Sequence, residues 1–183
     1  MTDPVLAEIE DLLLTKGQRR YGLENVSQLQ HALQSALIAE QQHETPAFIA
    51  AALLHDIGHM IHTLGESPAV SGIDDRHEEY GYEFLASHFG SDVTEPVRLH
   101  VAAKRYLCAR DPTYFGRLAP DSVLSLKLQG GPMSAQETAD FESLPHADAA
   151  VRLRRIDEAA KVEDLPTPPV SHFMQYVAAS LPA

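Results

Sequence analysis

Residues 51–62, AALLHDIGHMIH, place one carboxylate and three histidines in an otherwise apolar run. His55 and Asp56 are adjacent, and His59 follows His55 by four residues, so a helix would present both histidines on one face. Burying an unpaired charge is costly, and buried charges are normally paired with other charges or bound to metal. Because imidazole and carboxylate groups are both common metal ligands, this segment indicates a metal site.

Four further residues of the same chemical types lie in segments with a helical pattern: His31, His77, His100 and Asp157. Each histidine taken alone is more often an ordinary core or surface residue, and Asp157 would ordinarily belong to a solvated, ion-paired face. Together with the His55–Asp56 pair, however, they favour a metal centre supported on rigid helices. The other five histidines are predicted to lie outside the site: His43, His62, His88, His146 and His172.

Basic side chains share the helical faces of these candidate ligands. Lys104 follows His100 by four residues, Lys161 follows Asp157 by four, and Arg154 precedes Asp157 by three. Residues three or four positions apart on a helix are neighbours, so cations suited to an anion lie beside the candidate ligands. A small anionic substrate is therefore compatible with the site, although the formal net charge of the chain is −12 at pH 7.

The composition excludes several classes of protein. The chain has 183 residues, 44% of them hydrophobic, which suits one domain with a real core. The excess of acidic over basic residues argues against a general affinity for nucleic acid or anionic membranes. The single cysteine, Cys108, excludes an internal disulfide framework and fits a reducing compartment. The acidic start of the chain does not resemble a signal peptide, and no apolar run approaches the roughly 20 residues of a membrane span, so we expect a cytoplasmic protein.

The periodicity of the chain is helical almost throughout. Ser27 and Ser134, each followed three residues later by Gln or Glu, predict capping boxes at two helix starts. Thr45 followed by Pro46 predicts the start of a third helix that continues to residue 62 and lies at the centre, since it is apolar almost all round. Further helices are predicted at about 4–17, 75–89, 92–108, 119–128, 134–142, 146–161 and 170–180, with loops at 63–74 and 128–133. The predicted fold class is an all-α, single-domain bundle that spans residues 1–183.

The order of His31, the His55–Asp56 pair and Asp157 resembles the HD superfamily, a fold of helical metal-dependent phosphohydrolases. The two histidines in RHEEYG and RLHVAAKRY resemble the subset of that superfamily that holds two metal ions. A narrower resemblance, to the mixed-valent diiron oxygenases typified by 2-amino-1-hydroxyethylphosphonate dioxygenase, is carried by five segments together: AALLHDIGHMIH, RHEEYGYEFLASHF, HVAAKRYL, LQGGPM and RRIDEAAK. This similarity runs from about residue 21 to residue 161.

The resemblance implies six protein ligands to two iron ions: His31, His55, Asp56, His77, His100 and Asp157. Asp56 would bridge the two ions, since one carboxylate has two oxygens that can each hold a cation. The resemblance also implies contacts to a phosphonate group from His59, Lys104, Ser122 and Arg154. Cations and a hydroxyl are the partners that such a multi-oxygen anion should meet. A surface position beside Arg152 and Arg155 remains the alternative for Arg154.

The segment YGLENVSQLQH contains Tyr21 and Glu24, ten and seven residues before His31. The resemblance implies that Tyr21 acts as a lid that ligates iron until substrate arrives, and that Glu24 accepts the ammonium group of the substrate. The alternative is a helix-entry loop with an exposed aromatic side chain.

The resemblance finally implies an oxygen-dependent enzyme that uses an Fe(II)/Fe(III) pair. It would cleave the C–P bond of a 2-amino-1-hydroxyethylphosphonate-type substrate with O2 and release glycine and phosphate. Three alternatives remain: the same chemistry on a trimethylammonio substrate that gives glycine betaine, ordinary phosphohydrolase action through metal-activated water, and a metal-dependent sensor without catalysis. The expected partners are a small organophosphonate and O2, without nucleic acid or membrane.

Overall fold

The computed structural model describes residues 3–65 and 68–182, and it is built from helices. Within those ranges it contains no β-strand, only an isolated bridge between Arg20 and Ser27. The α-helices are α1 (Pro4–Asp11), α2 (Gln28–Gln41), α3 (Pro46–Leu54), α4 (Gly58–Ile61), α5 (His77–Ala86), α6 (Ser91–Arg110), α7 (Pro120–Leu128), α8 (Ala135–Glu142), α9 (Ala147–Ala159) and α10 (Val170–Ala179). A π-helical turn extends α1 over Leu12–Lys16, and 3-10 turns occupy Pro68–Ser71 and Phe115–Arg117. The predicted all-α class is confirmed.

The helix α3 lies at the centre of the bundle, as its apolar sequence predicts. Every residue from Phe48 to Leu54 is buried, and the helix packs against α2, α6 and α10. The Thr45 hydroxyl accepts a hydrogen bond from the Phe48 backbone at 3.2 Å, and Pro46 occupies the first turn, so the predicted helix start is confirmed. The residues that follow Leu54 therefore emerge directly from the most buried element of the fold.

The prediction that this helix continues to residue 62 is wrong, because the chain makes a tight turn at residues 55–57. The Ile57 amide donates to the Leu54 carbonyl at 3.0 Å, and the His59 amide donates to the Asp56 carbonyl at 3.0 Å, so these bonds span three residues instead of four. Gly58 then starts α4 with its backbone against α5. A Cβ atom there would lie 1.9 Å from the His77 carbonyl oxygen, so no larger residue fits this approach.

The helices that carry the other candidate ligands are positioned by local capping and by packing. The Ser27 hydroxyl accepts from the Gln30 amide at 3.1 Å, and the Gln30 side chain accepts from the Ser27 amide at 2.8 Å, so the predicted capping box starts α2. The box predicted at Ser134 is also present, at the start of α8. The helix α6 packs against α9 and α5, where Ala103 and Ala150 are fully buried in one apolar cluster.

The observed α5 to α10 match the predicted segments to within a few residues at each end. The predicted loop at 63–74 contains a 3-10 turn, and its residues 66 and 67 lie outside the described residues, as do residues 1, 2 and 183. None of the helices in the described ranges combines the length and the apolar character that crossing a membrane requires.

We predict that Gly58→Ala destabilises the fold by about 1–3 kcal/mol, because its methyl group forces the backbones of α4 and α5 apart. Thermal unfolding should show a transition lowered by several degrees, on the order of 2–4 °C for each kcal/mol in a chain of this size. Gly116→Ala is the matched control, since a Cβ atom at Gly116 meets nothing within 4 Å. Equal transition temperatures for the two variants would contradict the close approach.

Candidate metal centre and substrate cavity

Three ligand atoms meet where α2, the end of α3 and α9 converge. His31 Nε2 lies 3.1 Å from His55 Nε2 and 3.4 Å from Asp157 Oδ1. All three side chains are buried, and their ligand atoms lie within 4.8 Å of one another. Two imidazoles and one carboxylate in this arrangement fit one metal ion, and His31, His55 and Asp157 form the first group of ligands.

A second group of ligand atoms forms between α5 and α6. His77 is the first residue of α5, and its Nε2 lies 3.0 Å from Nε2 of His100 on α6. Oδ1 of Asp56 lies 3.3 Å from His77 Nε2 and 3.4 Å from His100 Nε2. This group is also buried and has the composition of a metal site.

Asp56 connects the two groups through its two carboxylate oxygens. While Oδ1 faces His77 and His100, Oδ2 lies 3.4 Å from His31 Nε2 and 3.3 Å from His55 Nε2. Oδ2 is buried and has no hydrogen-bond partner among the described residues. A buried carboxylate oxygen without a donor is costly, and a cation beside it would remove that cost. The geometry therefore fits a carboxylate shared between two metal ions.

The four histidines of the two groups present the same ring nitrogen to the centre. Their Nδ1 atoms lie within hydrogen-bond distance of acceptors, at 2.8 Å for His31 to Ala160 O, 2.9 Å for His55 to Ala52 O, 2.8 Å for His77 to Asp75 Oδ1 and 2.7 Å for His100 to Val97 O. Since carbonyl and carboxylate oxygens only accept, each Nδ1 donates its proton, and in the neutral ring each Nε2 directs a lone pair inward. Facing lone pairs at 3.0 and 3.1 Å repel each other unless a cation lies between them. The donor set therefore fits metal ions.

The electrostatics of the centre keep Asp56 ionised and two of the rings neutral. Burial alone would raise the pKa of Asp56, but His55, His100 and His31 hold it well below its ordinary value. Burial lowers the pKa of His100 to about 4 and also lowers the pKa of His31. Carboxylate anions and neutral imidazoles are the protonation states that bind metal.

Asp157 is held in place by Arg154 on its own helix and by Lys161 just beyond the end of that helix. The buried Arg154 donates from Nη1 to Asp157 Oδ2, and Lys161 Nζ lies 3.4 Å from Asp157 Oδ1. Arg154 also donates from Nε to Tyr114 Oη at 2.8 Å and from Nη2 to Glu158 Oε2 at 2.5 Å. These bonds fix the orientation in which Asp157 faces the first group. A surface position for Arg154, the alternative from the sequence, is wrong.

Asp75 is a carboxylate that the sequence did not single out, and it contacts three histidines. Its Oδ1 accepts from His77 Nδ1 at 2.8 Å, while its Oδ2 lies 2.8 Å from His59 Nδ1 and 3.1 Å from His62 Nε2. Burial alone would lower the pKa of His77, but the Asp75 carboxylate raises it well above the ordinary value. His62, predicted to lie outside the site, is therefore buried beside it.

Tyr21 covers the first group of ligands. Its ring stacks on the His31 ring with centroids 4.0 Å apart, and its hydroxyl lies 3.4 Å from Asp157 Oδ1. Burial and the neighbouring Asp157 raise the pKa of the Tyr21 hydroxyl well above its ordinary value. The alternative of an exposed aromatic in a helix-entry loop is wrong for this residue.

A cavity opens onto the centre and brings most of the predicted substrate contacts together. His59, Lys104, Ser122 and Arg154 all line it, beside Tyr21, Asp56, His77, His100 and Asp157. Lys104 is 2% exposed, and its Nζ donates to Ser125 Oγ at 2.8 Å. Ser122 Oγ accepts from Arg154 Nη2 at 3.3 Å. Burial, helped by the nearby Arg154, lowers the pKa of Lys104 to about 7, so an anion in the cavity would stabilise its charged form.

Glu24 is the predicted site residue that the structure places elsewhere. It lines a separate surface depression with Gln18, Arg20 and Glu163, and it is absent from the described residues that line the cavity. The Arg20 guanidinium donates to the carbonyl oxygens of Leu23 and Glu24, both at 3.0 Å, and holds this part of the loop.

The sequence reasoning did not identify several residues that lie at the site. Asp75 lies two positions before a ligand, in DDRH, and this spacing could have indicated a carboxylate that orients the imidazole. Tyr114, Asp121 and Ser125 reach the site only through the packing of distant segments, and no local pattern marks them.

We predict that Asp75→Asn weakens the metal held at His77 and His100 roughly ten- to a hundredfold, because His77 Nδ1 loses its carboxylate acceptor. Metal retention after dialysis against graded chelator, measured by elemental analysis, should show the loss of one ion before the other. The exposed neighbour Asp74 provides the control, and Asp74→Asn should retain both ions. Retention by Asp75→Asn equal to that of the control would contradict this orienting role.

Comparisons with known proteins agree with this geometry. A family model described as the HD domain matches residues 29–126. The [1-hydroxy-2-(trimethylamino)ethyl]phosphonate dioxygenase (glycine-betaine-forming) of Leisingera caerulea is 47% identical over 162 residues, which cover 88% of this chain and 83% of that protein. The hydroxymethylphosphonate dioxygenase of Gimesia maris is 44% identical over 179 residues, which cover 93% of this chain and 85% of that protein. The chain therefore belongs to the HD-domain family, in the branch that contains these phosphonate dioxygenases.

Proposed function

We propose that this protein is an iron-dependent dioxygenase that cleaves the C–P bond of a 2-amino-1-hydroxyethylphosphonate-type substrate with O2 and gives glycine and phosphate. The observation that carries this proposal is the Asp56 carboxylate shared between two histidine-containing groups at the base of a cavity that is lined by cations. The names of the relatives, both phosphonate dioxygenases, support the same class of reaction.

The proposed reaction balances without an outside reductant. The substrate carbon that bears the hydroxyl and the phosphorus loses its C–P bond and becomes the carboxyl carbon of glycine. Phosphorus leaves as phosphate, and the two products together contain both oxygen atoms of O2. One phosphate is therefore expected for each O2 consumed.

We propose two iron ions as the cofactor, held by His31, His55 and Asp157 on one side and by His77 and His100 on the other, with Asp56 between them. Imidazole and carboxylate ligands without thiolate suit iron, and the single cysteine, Cys108, is not among the residues that line the cavity. Iron supplies the redox chemistry with O2 that amino-acid side chains cannot perform.

The protein side chains bind and orient the substrate. Lys104 and His59 supply positive charge or hydrogen-bond donors to the phosphonate oxygens, and the Ser122 hydroxyl provides a further donor. Arg154 lies at the same wall of the cavity, but its shortest contacts are with Asp157 and Glu158. It therefore holds the metal-ligand residue Asp157 in place. Tyr21 lies over the first group of ligands and keeps water from that side of the centre until substrate displaces it.

Two alternatives have support of their own. The relative from Leisingera caerulea is named for a trimethylamino substrate and for glycine betaine as product, so the same chemistry on a quaternary ammonium substrate is the second candidate. The HD-domain match also fits hydrolysis of a phosphate ester by metal-activated water. Hydrolysis needs no O2, which separates it from both dioxygenase candidates.

The deciding experiment compares phosphate release with and without O2. Iron-loaded protein is mixed with 2-amino-1-hydroxyethylphosphonate under air and under argon, while phosphate and dissolved O2 are followed together. We expect release only under air, with one phosphate for each O2. Release under argon, or release from a simple phosphate ester alone, would overturn the dioxygenase proposal in favour of hydrolysis.

We further predict that Lys104→Met raises the KM for the hydroxyphosphonate roughly ten- to a hundredfold, the contribution of one charge-assisted hydrogen bond. Methionine keeps the length of the buried stem, so both metal ions should remain bound. Steady-state kinetics with a parallel iron determination checks both expectations. Lys127→Met on the exposed face of α7 is the control. An unchanged KM in a Lys104→Met protein with full metal content would place the phosphonate elsewhere.

A further inference from the structure

Unsatisfied acceptors are concentrated in the cavity. Five buried side-chain oxygens have no hydrogen-bond partner among the described residues, and four of them belong to residues that line this cavity: Gln28 Oε1, Asp56 Oδ2, Asp121 Oδ1 and Gln129 Oε1. Asp56 Oδ2 is explained by the metal centre. The other three have no partner in the described part of the chain, and buried polar atoms without partners are rare enough in native proteins to require an explanation.

Asp121 has a defined position at the rim of the cavity. It lies in the first turn of α7, and the loop that carries Tyr21 passes directly over it. Gly22 of that loop has φ +52°, and a Cβ atom on it would lie 2.7 Å from Asp121 Cγ, so only glycine leaves room for the carboxylate here. Burial raises the pKa of Asp121, partly offset by His59 and Lys104, because the charged form has lost much of its water.

Gln28 supplies a second acceptor that needs a donor. It is 5% exposed, begins α2 three residues before His31, and its Oε1 is buried without a partner in the described part of the chain. A carboxylate oxygen and an amide oxygen both accept, so each needs a hydrogen-bond donor or a cation in the cavity.

We propose that Asp121, assisted by Gln28, is the specificity-determining residue that receives a protonated primary amine on the substrate, an inference that rests on the proposed function. The phosphonate then lies against Lys104 and His59, while the opposite charge of the substrate meets the unpartnered carboxylate beneath Gly22. Asp121 takes the role that the sequence assigned to Glu24, which lies outside the cavity.

The same acceptors discriminate against the substrates of the two named relatives. A trimethylammonium group has no N–H donor and prefers aromatic faces, and the described cavity lining contains one tyrosine and no phenylalanine or tryptophan. A hydroxymethylphosphonate has no amine and would leave both acceptors unsatisfied. A primary ammonium has three donors and one positive charge, which match Asp121 and Gln28.

The test measures binding, so it does not depend on turnover. The iron-loaded full chain is titrated by calorimetry under argon with 2-aminoethylphosphonate, with ethylphosphonate, which lacks only the amine, and with the trimethylammonio analogue. We expect the wild-type protein to bind the primary amine most tightly. Asp121→Asn should weaken 2-aminoethylphosphonate roughly ten- to a hundredfold and change ethylphosphonate by less than about twofold. Asp92→Asn, an exposed carboxylate in the first turn of α6, is the matched control for the helix-end charge.

Further variants decide the remaining outcomes. Gln28→Met should weaken only the amine ligand, by roughly two- to tenfold, as expected for a neutral acceptor, and it decides the matter if Asp121→Asn does not fold. The inference is overturned if the wild-type protein shows no preference for the amine, if the preference survives in Asp121→Asn, or if Glu24→Gln removes it instead. If the wild-type protein prefers the amine ligand but releases no phosphate with O2, the proposed reaction is refuted and the amine subsite is not. If phosphate is released with O2 but Asp121→Asn still prefers the amine ligand, the amine subsite is refuted and the reaction is not.

Discussion

The negative charge of Asp56, buried between the Nε2 atoms of four histidines, is the constraint to which the surrounding helices conform. A carboxylate is costly to bury in an apolar core unless cations compensate it, and the neutral form of each facing ring offers it no donor at Nε2. Each ring is fixed by an acceptor on its far side, so the rings cannot turn to relieve this conflict. The protein therefore preserves in its folded state an arrangement that cations complete.

Ion pairs extend outward from the metal centre, with acidic and basic side chains in alternation. Asp157 contacts Arg154 and Lys161, and both cations also contact Glu158. This chain of alternating charges runs from Arg154 in α9 to Lys161 just beyond the end of the helix and is largely buried. Lys104 is different, because its neighbour is the neutral Ser125, and its charge remains available to an anion from outside. The contrast separates cations that support the centre from the cation that can bind a ligand.

Much of the fold could be predicted from sequence because its signals are local. The capping residues Ser27 and Thr45 start their helices where predicted, and the apolar stretch after Thr45 is the buried centre. The turn at residues 55–57 could not be predicted, because it depends on Gly58 meeting the backbone of His77, far along the chain. The family resemblance implied the six candidate ligands, and the structure brings their side chains close together. Asp121 and Tyr114 had no such signal, since their roles arise only from tertiary packing.

The position of Asp75 between His59 and His77 has a thermodynamic consequence. One carboxylate orients a ring at the metal centre and a ring in the substrate cavity, so a change in the charge of either ring alters the free energy of the other. Coupling free energies between two binding equilibria are reciprocal. If a metal ion at His77 changes the affinity for an anion at His59 by some factor, the anion changes the affinity for the metal ion by the same factor. An anion whose affinity is raised by the metal ion must therefore raise the affinity of the protein for that metal ion by the same factor.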